Sequence, residues 1–297
     1  MVRGRCAAIG PLALIVLSCV AVAQPDDGSE RGPTRVRRRE LIQFAPAPES
    51  DQHFACTLSG ELKVPFWGSH GMDGTWTMTR KVLEVDADRQ RIRASMTFDS
   101  GTCKVAGTTA TIAQQPPLMC TYDTRHRLLQ IDPTDIPPAA HGMDGDDIIT
   151  LSGILVLLCE TVPYHIRSAG VGTRWVDDYE CLDVNGRRVR VSGTSRLVAF
   201  VDDGDRRAGV IESKLQIPVT GNVAGAHLIG RLECHVLSEV YVDDGSLRYR
   251  DMLAEGTLAA GTADVEVDDL HTTLAVIPPK GDAARALYTA PDAADED

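Results

Sequence analysis

Several residue types and patterns are scarce in this chain of 297 residues. It contains five lysines and two asparagines, and aromatic residues make up only 5%. Beyond the N-terminal region, no apolar run reaches the roughly 18 to 20 residues that a membrane-spanning helix requires. No long segment repeats its apolar residues with a period of 3.6, so we expect little helix.

The motifs of several functional classes are also missing. No G-x-S-x-G string marks a nucleophile elbow, and no cysteine lies in a protease signature. Without a C-x-x-C pair, and with Cys234 and His235 on opposite faces of a strand, we expect no metal and no cofactor. The net charge of -12 and the lack of a basic stripe argue against nucleic-acid binding. We expect a protein that is not an enzyme, although a triad built from distant residues would leave no local motif.

The N-terminus has the composition of a secretory signal peptide. Two arginines precede an apolar stretch from residue 9 to residue 22, and Ala21-Val22-Ala23 offers a small-x-small cleavage pattern. We therefore expect removal of residues 1–23 and a location in the periplasm or outside the cell. An uncleaved anchor, or a lipoprotein processed at Ser18-Cys19, are the alternatives.

The cysteine count suggests disulfides in an exported protein. Of eight cysteines, Cys6 and Cys19 would leave with the signal peptide. An even number then remains in an oxidising compartment, so we expect two or three bridges whose connectivity the sequence does not assign. The alternative is that several are buried free thiols. The six candidates are Cys56, Cys103, Cys120, Cys159, Cys181 and Cys234.

Most of the chain has the period of β-strands. Residues 24–50 are rich in proline, glycine and charge, and residues 278–297 are rich in alanine and acidic residues, so we expect both to be disordered. Residues 51–277 alternate apolar and polar positions, as from Ile92 to Phe98. We expect an all-β domain, an elongated antiparallel β-jelly roll or sandwich of irregular strand–turn–strand repeats. Two modules dividing near residues 164–172 are an alternative.

One segment is apolar on both faces. The stretch from Ile148 to Cys159 could be a buried helix. Its isoleucine and valine content, with Gly153 in the middle, favours a strand that is covered on both sides at the centre of the core.

Glycine-rich strings predict the turns. Asn185-Gly186 lies between alternating runs and predicts a hairpin with a type I′ turn, in which both central residues have positive φ. The string His-Gly-Met-Asp-Gly begins at His70 and again at His141, and two such loops could form a metal or general-base cluster. Asp-Gly is also the ordinary composition of a tight turn, which we prefer. Further turns are predicted at residues 71–74, 142–145, 202–204 and 243–245.

Four segments resemble the repeat of OstA-like proteins of lipopolysaccharide transport. In that repeat an acidic corner precedes a basic and apolar strand, then a glycine and a second apolar strand. The resemblance implies a folded-over β-jelly roll whose interior holds acyl chains. It also implies end strands that could pair with another copy or an envelope partner. The segments are residues 83–94, 121–131, 185–193 and 247–256.

This resemblance leads to a functional hypothesis. We expect a non-enzymatic envelope protein that binds or transports a lipid or lipopolysaccharide in an apolar β-groove. A structural or adhesive β-sandwich without a lipid is the alternative, and a hydrolase with no recognisable motif is the third. An open apolar cleft would favour the lipid, and a filled core would favour the alternative. The residues expected to contact the lipid are Val189, Val191, Leu228, Leu232, Val236 and Val240.

Overall fold

Strands dominate the part of the chain that the structure describes. This computed structural model describes residues 39–65, 68–105, 108–111, 116–135, 145–165, 167–223 and 226–277. One helix, α1, spans Gly145–Glu160. The strands in these ranges are β1 (Asp51–Val64), β2 (Gly68–Asp86), β3 (Arg91–Val105), β4 (Thr108–Thr111), β5 (Leu118–Asp123), β6 (Leu128–Pro133), β7 (Arg174–Leu182), β8 (Arg188–Asp203), β9 (Arg206–Val223), β10 (Ala226–Tyr241), β11 (Leu247–Ala260) and β12 (Ala263–Ile277).

Eleven of these strands form a closed barrel. Their order around the ring is β2-β1-β12-β11-β10-β9-β8-β7-β6-β5-β3, and β3 pairs with β2 to complete it. The short β4 pairs with β3 only. The prediction of mostly β structure is confirmed. The predicted jelly roll or sandwich is wrong, because the mostly antiparallel sheet closes on itself and leaves no second sheet to pack against.

The wall has an apolar inner face and a charged outer face. Along β3, Ile92, Ala94 and Met96 are buried, whereas Arg91 and the positions between them face outward. This alternation matches the pleat of a strand, whose side chains point to opposite faces in turn. The inner faces of the strands together form the core.

Helix α1 occupies the lumen of the barrel. Every residue of the helix is buried except Asp146, Leu151 and Ile154. The helix contacts β6, β9 and β12, which lie on different sides of the ring. An eleven-stranded ring encloses more space than inward side chains can fill, and a helix that is apolar all round fills it.

The predicted core strand at Ile148–Cys159 is therefore wrong, although the segment does lie in the core. A helix satisfies its own backbone hydrogen bonds, whereas a strand inside the lumen would need partners that the wall does not provide. The sequence signal for a helix was the pair Asp146 and Asp147, since carboxylates in the first turn favour a helix N-terminus.

An arm formed by residues 39–50 covers one end of the barrel, which we call the lower end. The Phe44 N–H donates to Thr124 O at 2.9 Å, and the Ala45 N–H donates to Asp244 O at 2.8 Å. The side chain of Phe44 is fully buried. This arm is the described part of the segment predicted to be a linker, and its Ile42 and Phe44 side chains are buried.

Most of the predicted turns are found at the ends of strands. A hairpin turn joins β7 and β8 as predicted, but its type is not I′, because Gly186 has a φ of 70° and Asn185 has no positive φ. The turns at residues 202–204 and 243–245 are confirmed, with positive φ at both glycines. Residues 71–74 lie inside β2, so that predicted turn is wrong: in the ladder Gly74 packs against the backbone of Thr102.

The described strands run from Asp51 to Ile277. Strands before and after residues 164–172 belong to one ring. The predicted signal peptide and acidic tail lie outside the described residues, as do residues 141–144 of the second His-Gly-Met-Asp-Gly string. No helix in the described ranges is long and apolar enough to span a membrane.

The predicted disulfides are absent among the described residues. All six candidate cysteines are free thiols on α1 and five different strands, and no two of them are paired residues on neighbouring strands. Burial raises the pKa of Cys181 and of Cys234 to about 12, so both are protonated and pack as small apolar side chains. The six are Cys56, Cys103, Cys120, Cys159, Cys181 and Cys234.

Candidate functional site

A network of charged side chains lies inside the lower half of the lumen. The Arg80 Nη1 on β2 donates to Glu160 Oε2 at the end of α1 over 2.5 Å. The Arg80 Nε donates to Gln52 Oε1 on β1 at 3.1 Å, and the Tyr122 hydroxyl donates to Glu160 Oε2 at 3.2 Å. Arg80 and Glu160 are both fully buried. The pair therefore fixes the end of the helix to three strands of the wall.

Aromatic rings surround this ion pair. The Arg80 guanidinium lies 5.0 Å from the centre of the Phe44 ring and 5.4 Å from that of Phe54. His126 stacks between Tyr122, at 5.2 Å, and Tyr164, at 5.4 Å. The cation–π contacts compensate the guanidinium for part of the hydration that it loses.

His126 takes part in the network as a neutral group. Burial lowers its pKa well below the usual range, and the positive charges of Arg80 and Arg250 lower it further. The distance from Arg80 Nη1 to His126 Nε2 is 2.9 Å. Because a guanidinium can only donate, Nε2 must accept and the ring proton must be on Nδ1.

Arg250 on β11 is a second buried cation in the lumen. Its Nη1 donates to Thr161 O, just after the helix, and its Nη2 contacts Met252 Sδ at 3.6 Å. Burial lowers its pKa, and the nearby Cys159 and Cys234 act in the opposite direction. Together with Arg80 on β2, this residue ties the C-terminal end of α1 to two separate strands of the wall.

The sequence indicates these buried charges, because two arginines occupy strand positions at which apolar residues are expected. On β2, Arg80 lies on the same inward face as Met78 and Val82. On β11, Arg250 lies on the same inward face as Met252. An arginine at an inward position requires a buried partner. Apart from the partly buried Gln52, the described side chains of the network are buried, so the arrangement holds the helix in position.

At the upper end of the lumen, apolar side chains lie between α1 and the wall. There the N-terminal half of α1 lies close to the wall: a Cβ added at Gly221 would come within 2.2 Å of Thr150, and one at Gly153 within 2.5 Å of Val184. Leu151 and Ile154 of the same helix are only partly buried.

Other partly buried apolar side chains join these two at the upper end. Met72 is paired with Gly60 on β1, two residues from Leu62, and Leu228 is paired with Gly221 at the end of β9. These side chains pack against the core but remain partly exposed, and we call them the upper apolar set. It consists of Leu62, Met72, Leu151, Ile154, Val184 and Leu228.

The six residues predicted to contact a lipid lie at two levels of the barrel. Leu228 belongs to the upper apolar set. The other five are buried in the packed core, and among the described residues they line no open groove. These five are Val189, Val191, Leu232, Val236 and Val240.

Other candidate sites are weaker. Of the two histidines considered for a loop cluster, His70 lies on β2 and His141 lies outside the described ranges. No group of three or more potential metal ligands occurs in the described part of the chain. A hollow of about 440 Å³ on the outer face of β2, β3, β5 and β6 is lined by both Arg and Asp or Glu side chains, and such a polar lining does not suit an acyl chain.

Comparisons with known proteins assign no family to the chain. No family model matches it, and no curated protein is significantly similar to it. The OstA-like resemblance therefore has no support from a family model. The jelly roll that it implies is not the fold observed.

Two solved structures show weak similarity. One is a structure of lipovitellin that concerns lipid–protein interactions, with 11% identity and a TM-score of 0.42. The match covers 84% of this chain and 28% of the lipovitellin chain. The other is DynF, from the dynemicin biosynthesis pathway of Micromonospora chersina. It has 8% identity, covers 84% of this chain and 92% of the DynF chain, and has a TM-score of 0.24. Neither score identifies a common fold.

Proposed function

We propose that this protein is a non-enzymatic, exported envelope protein that binds the acyl chain of a lipid at the upper end of its barrel. The upper apolar set carries the proposal, because it places partly uncovered side chains of α1 beside those of the wall. Each methylene group buried there would contribute about 0.8 kcal/mol.

The position of this set differs from the groove expected from the sequence. The lower and middle parts of the lumen are filled by α1, the arm and the charged network, so an acyl chain has no space there. At the upper end, Leu151 and Ile154 lie one turn apart on the same side of the helix and are partly buried, as is Leu228 on the wall. Lipopolysaccharide is one source of such an acyl chain, and a fatty acid or phospholipid is another.

A structural or adhesive barrel without a lipid is the second candidate. The specific observation in its favour is the filled lumen, in which α1 takes the place that a ligand would occupy in an open barrel. Under this alternative the upper apolar set is the imperfectly covered edge of the core.

Titration with a fluorescent fatty-acid probe separates the two candidates. We expect saturable binding of one probe per chain to the wild-type protein. Leu228→Asp should weaken this binding at least tenfold, because it places a charge in the upper apolar set. The matched control is Leu253→Asp, which makes the same change at an exposed position on the outer face of the barrel.

The outcomes of this titration have distinct meanings. Binding that Leu228→Asp weakens and Leu253→Asp leaves unchanged supports the proposal. Equal binding by all three proteins would move the site away from the upper end. A wild-type protein that binds no probe favours the structural alternative.

A further inference from the structure

The barrel has one seam with almost no backbone pairing. β6 and β7 share a single pair, Gln130 with Leu182, and their orientation is parallel. By contrast, β9 and β10 share sixteen antiparallel pairs. A strand without a partner along most of its edge separates at a lower cost in backbone hydrogen bonds than one within a full ladder.

Side chains hold this seam together where the backbone does not. The Arg125 Nη2, in the turn before β6, donates to Asp177 Oδ1 on β7 at 2.6 Å. The Arg127 guanidinium lies 5.6 Å from the centre of the Tyr179 ring, also on β7. We call these four residues the latch.

The latch is also linked to the segment that follows α1. The Arg125 Nε donates to Tyr164 O at 2.9 Å, and the Trp175 Nε1 donates to Pro163 O at 3.3 Å. Both bonds join residues beside the seam to the chain that leaves the lumen.

The chain connectivity gives the seam a special position. The connection from β6 to β7 contains α1, so the two ends of this connection are the two strands of the seam. Separation of β6 from β7 would open the lumen beside α1 while every antiparallel ladder of the ring stays intact. On the inner side it would uncover Leu128 and Ile131, which are now buried.

An exposed apolar side chain marks the outer side of the same strand. Val176 on β7 is 73% exposed, the highest value among the large apolar side chains described. It follows Trp175, whose ring faces the lumen, and precedes Asp177 of the latch. Apolar surface is thus present on both sides of the seam.

We propose that the β6–β7 seam opens reversibly and admits the apolar ligand to the lumen, and that the latch holds it closed. The admission of a ligand rests on the proposed function, whereas the opening of the seam does not. The seam is thereby a lateral route to the upper apolar set.

Hydrogen exchange of the full chain tests the opening without any ligand. We expect peptides covering residues 128–133 and 174–182 to exchange at least tenfold faster in Arg125→Gln than in the wild type. Peptides of β9 and β10 should be unchanged. The matched control is Arg190→Gln, which removes an arginine–aspartate pair on the outer face of β7 and β8 and should leave the seam unchanged.

Two results would overturn the opening. One is a seam that exchanges as slowly as β9 and β10 in the wild type and stays so in Arg125→Gln. The other is an equal increase in both variants, which would indicate general loosening. If Arg125→Gln fails to fold, Arg127→Gln and the wild-type exchange rates at the seam provide the same test.

The rate of probe uptake tests the admission of the ligand. With the fluorescent fatty-acid probe in a stopped-flow instrument, Arg125→Gln should accelerate uptake at least fivefold and Arg190→Gln should not. Saturable binding at equal rates in all proteins would overturn the route and leave the proposed function in place. If no protein binds the probe, the proposed function fails, and the exchange rates still decide whether the seam opens.

Discussion

The two ends of the lumen hold the same helix by different means. At the lower end, Glu160 is fixed by Arg80, and Arg250 binds the backbone that follows. At the upper end, Leu151 and Ile154 make apolar contacts and are partly uncovered. The comparison indicates that the lower end supports stability, because buried charges tolerate little movement, and that the upper end is less completely packed.

Breaking the ion pair at the lower end should have the largest effect. Arg80→Met leaves the Glu160 carboxylate buried without its partner, which should reduce the free energy of unfolding by about 4 kcal/mol. Urea denaturation measures this value. The double variant Arg80→Met/Glu160→Leu should recover much of the loss, and a single-variant loss below about 1 kcal/mol would contradict the assigned role of the pair.

Alanine substitutions of two leucines in α1 compare how tightly the core and the upper end are packed. Leu157 is buried, so Leu157→Ala should reduce the free energy of unfolding by about 3 kcal/mol, because it leaves a cavity in the core. Leu151 is partly exposed, and Leu151→Ala should cost about 1 kcal/mol, since the site already contacts solvent. Denaturation of both variants provides the measurement. Equal losses would mean that the upper end is packed as tightly as the rest.

Asp177 at the β6–β7 seam should make the free energy of unfolding depend on pH. Burial raises the pKa of Asp177 to about 6, although Arg125 and Arg127 act against this shift. Since an unfolded aspartate titrates near 3.9, the folded state holds the proton more tightly, and the free energy of unfolding should fall as the pH rises from about 4 to about 6.

Asp177→Asn should remove this dependence. Relative to the variant, the wild type should lose about 2 kcal/mol between pH 4 and pH 7, as measured by denaturation at each pH. Parallel curves for the two proteins would show that Asp177 titrates as it does in the unfolded chain.

A substitution in an ion pair on the outer face should change the free energy of unfolding least. Arg190 and Asp178 form an exposed ion pair. Arg190→Gln should therefore leave the free energy of unfolding nearly unchanged, because solvent screens an exposed pair. A loss comparable to that of Arg80→Met would remove the distinction between lumen and surface.

The sequence predicts the wall of the barrel better than its contents. Alternation identified the strands, because one residue in two faces the core, as in β3. Closure of the ring depends on β1 meeting β12 and on the seam, and local periodicity contains no information about either. The apolar stretch of α1 fits a strand or a helix equally well until its surroundings are known.

The candidate site shows the same limit. Leu228 was predicted as an apolar inward position, and it belongs to the upper apolar set. Leu151 was assigned to a strand, so its place on a helix at the upper end of the lumen could not be predicted. Arg80 and Glu160 are 80 residues apart in the chain. Their pairing follows only from the tertiary structure.

Native mass spectrometry tests the central claim most directly. The protein would be purified from its native envelope without added lipid, and its mass compared with that of Leu228→Asp and of the matched control Leu253→Asp. We predict one lipid adduct per chain in the wild type and in Leu253→Asp, and its loss in Leu228→Asp. A wild-type protein that carries no lipid, or an adduct that all three proteins retain equally, would contradict lipid binding at the upper end of the barrel.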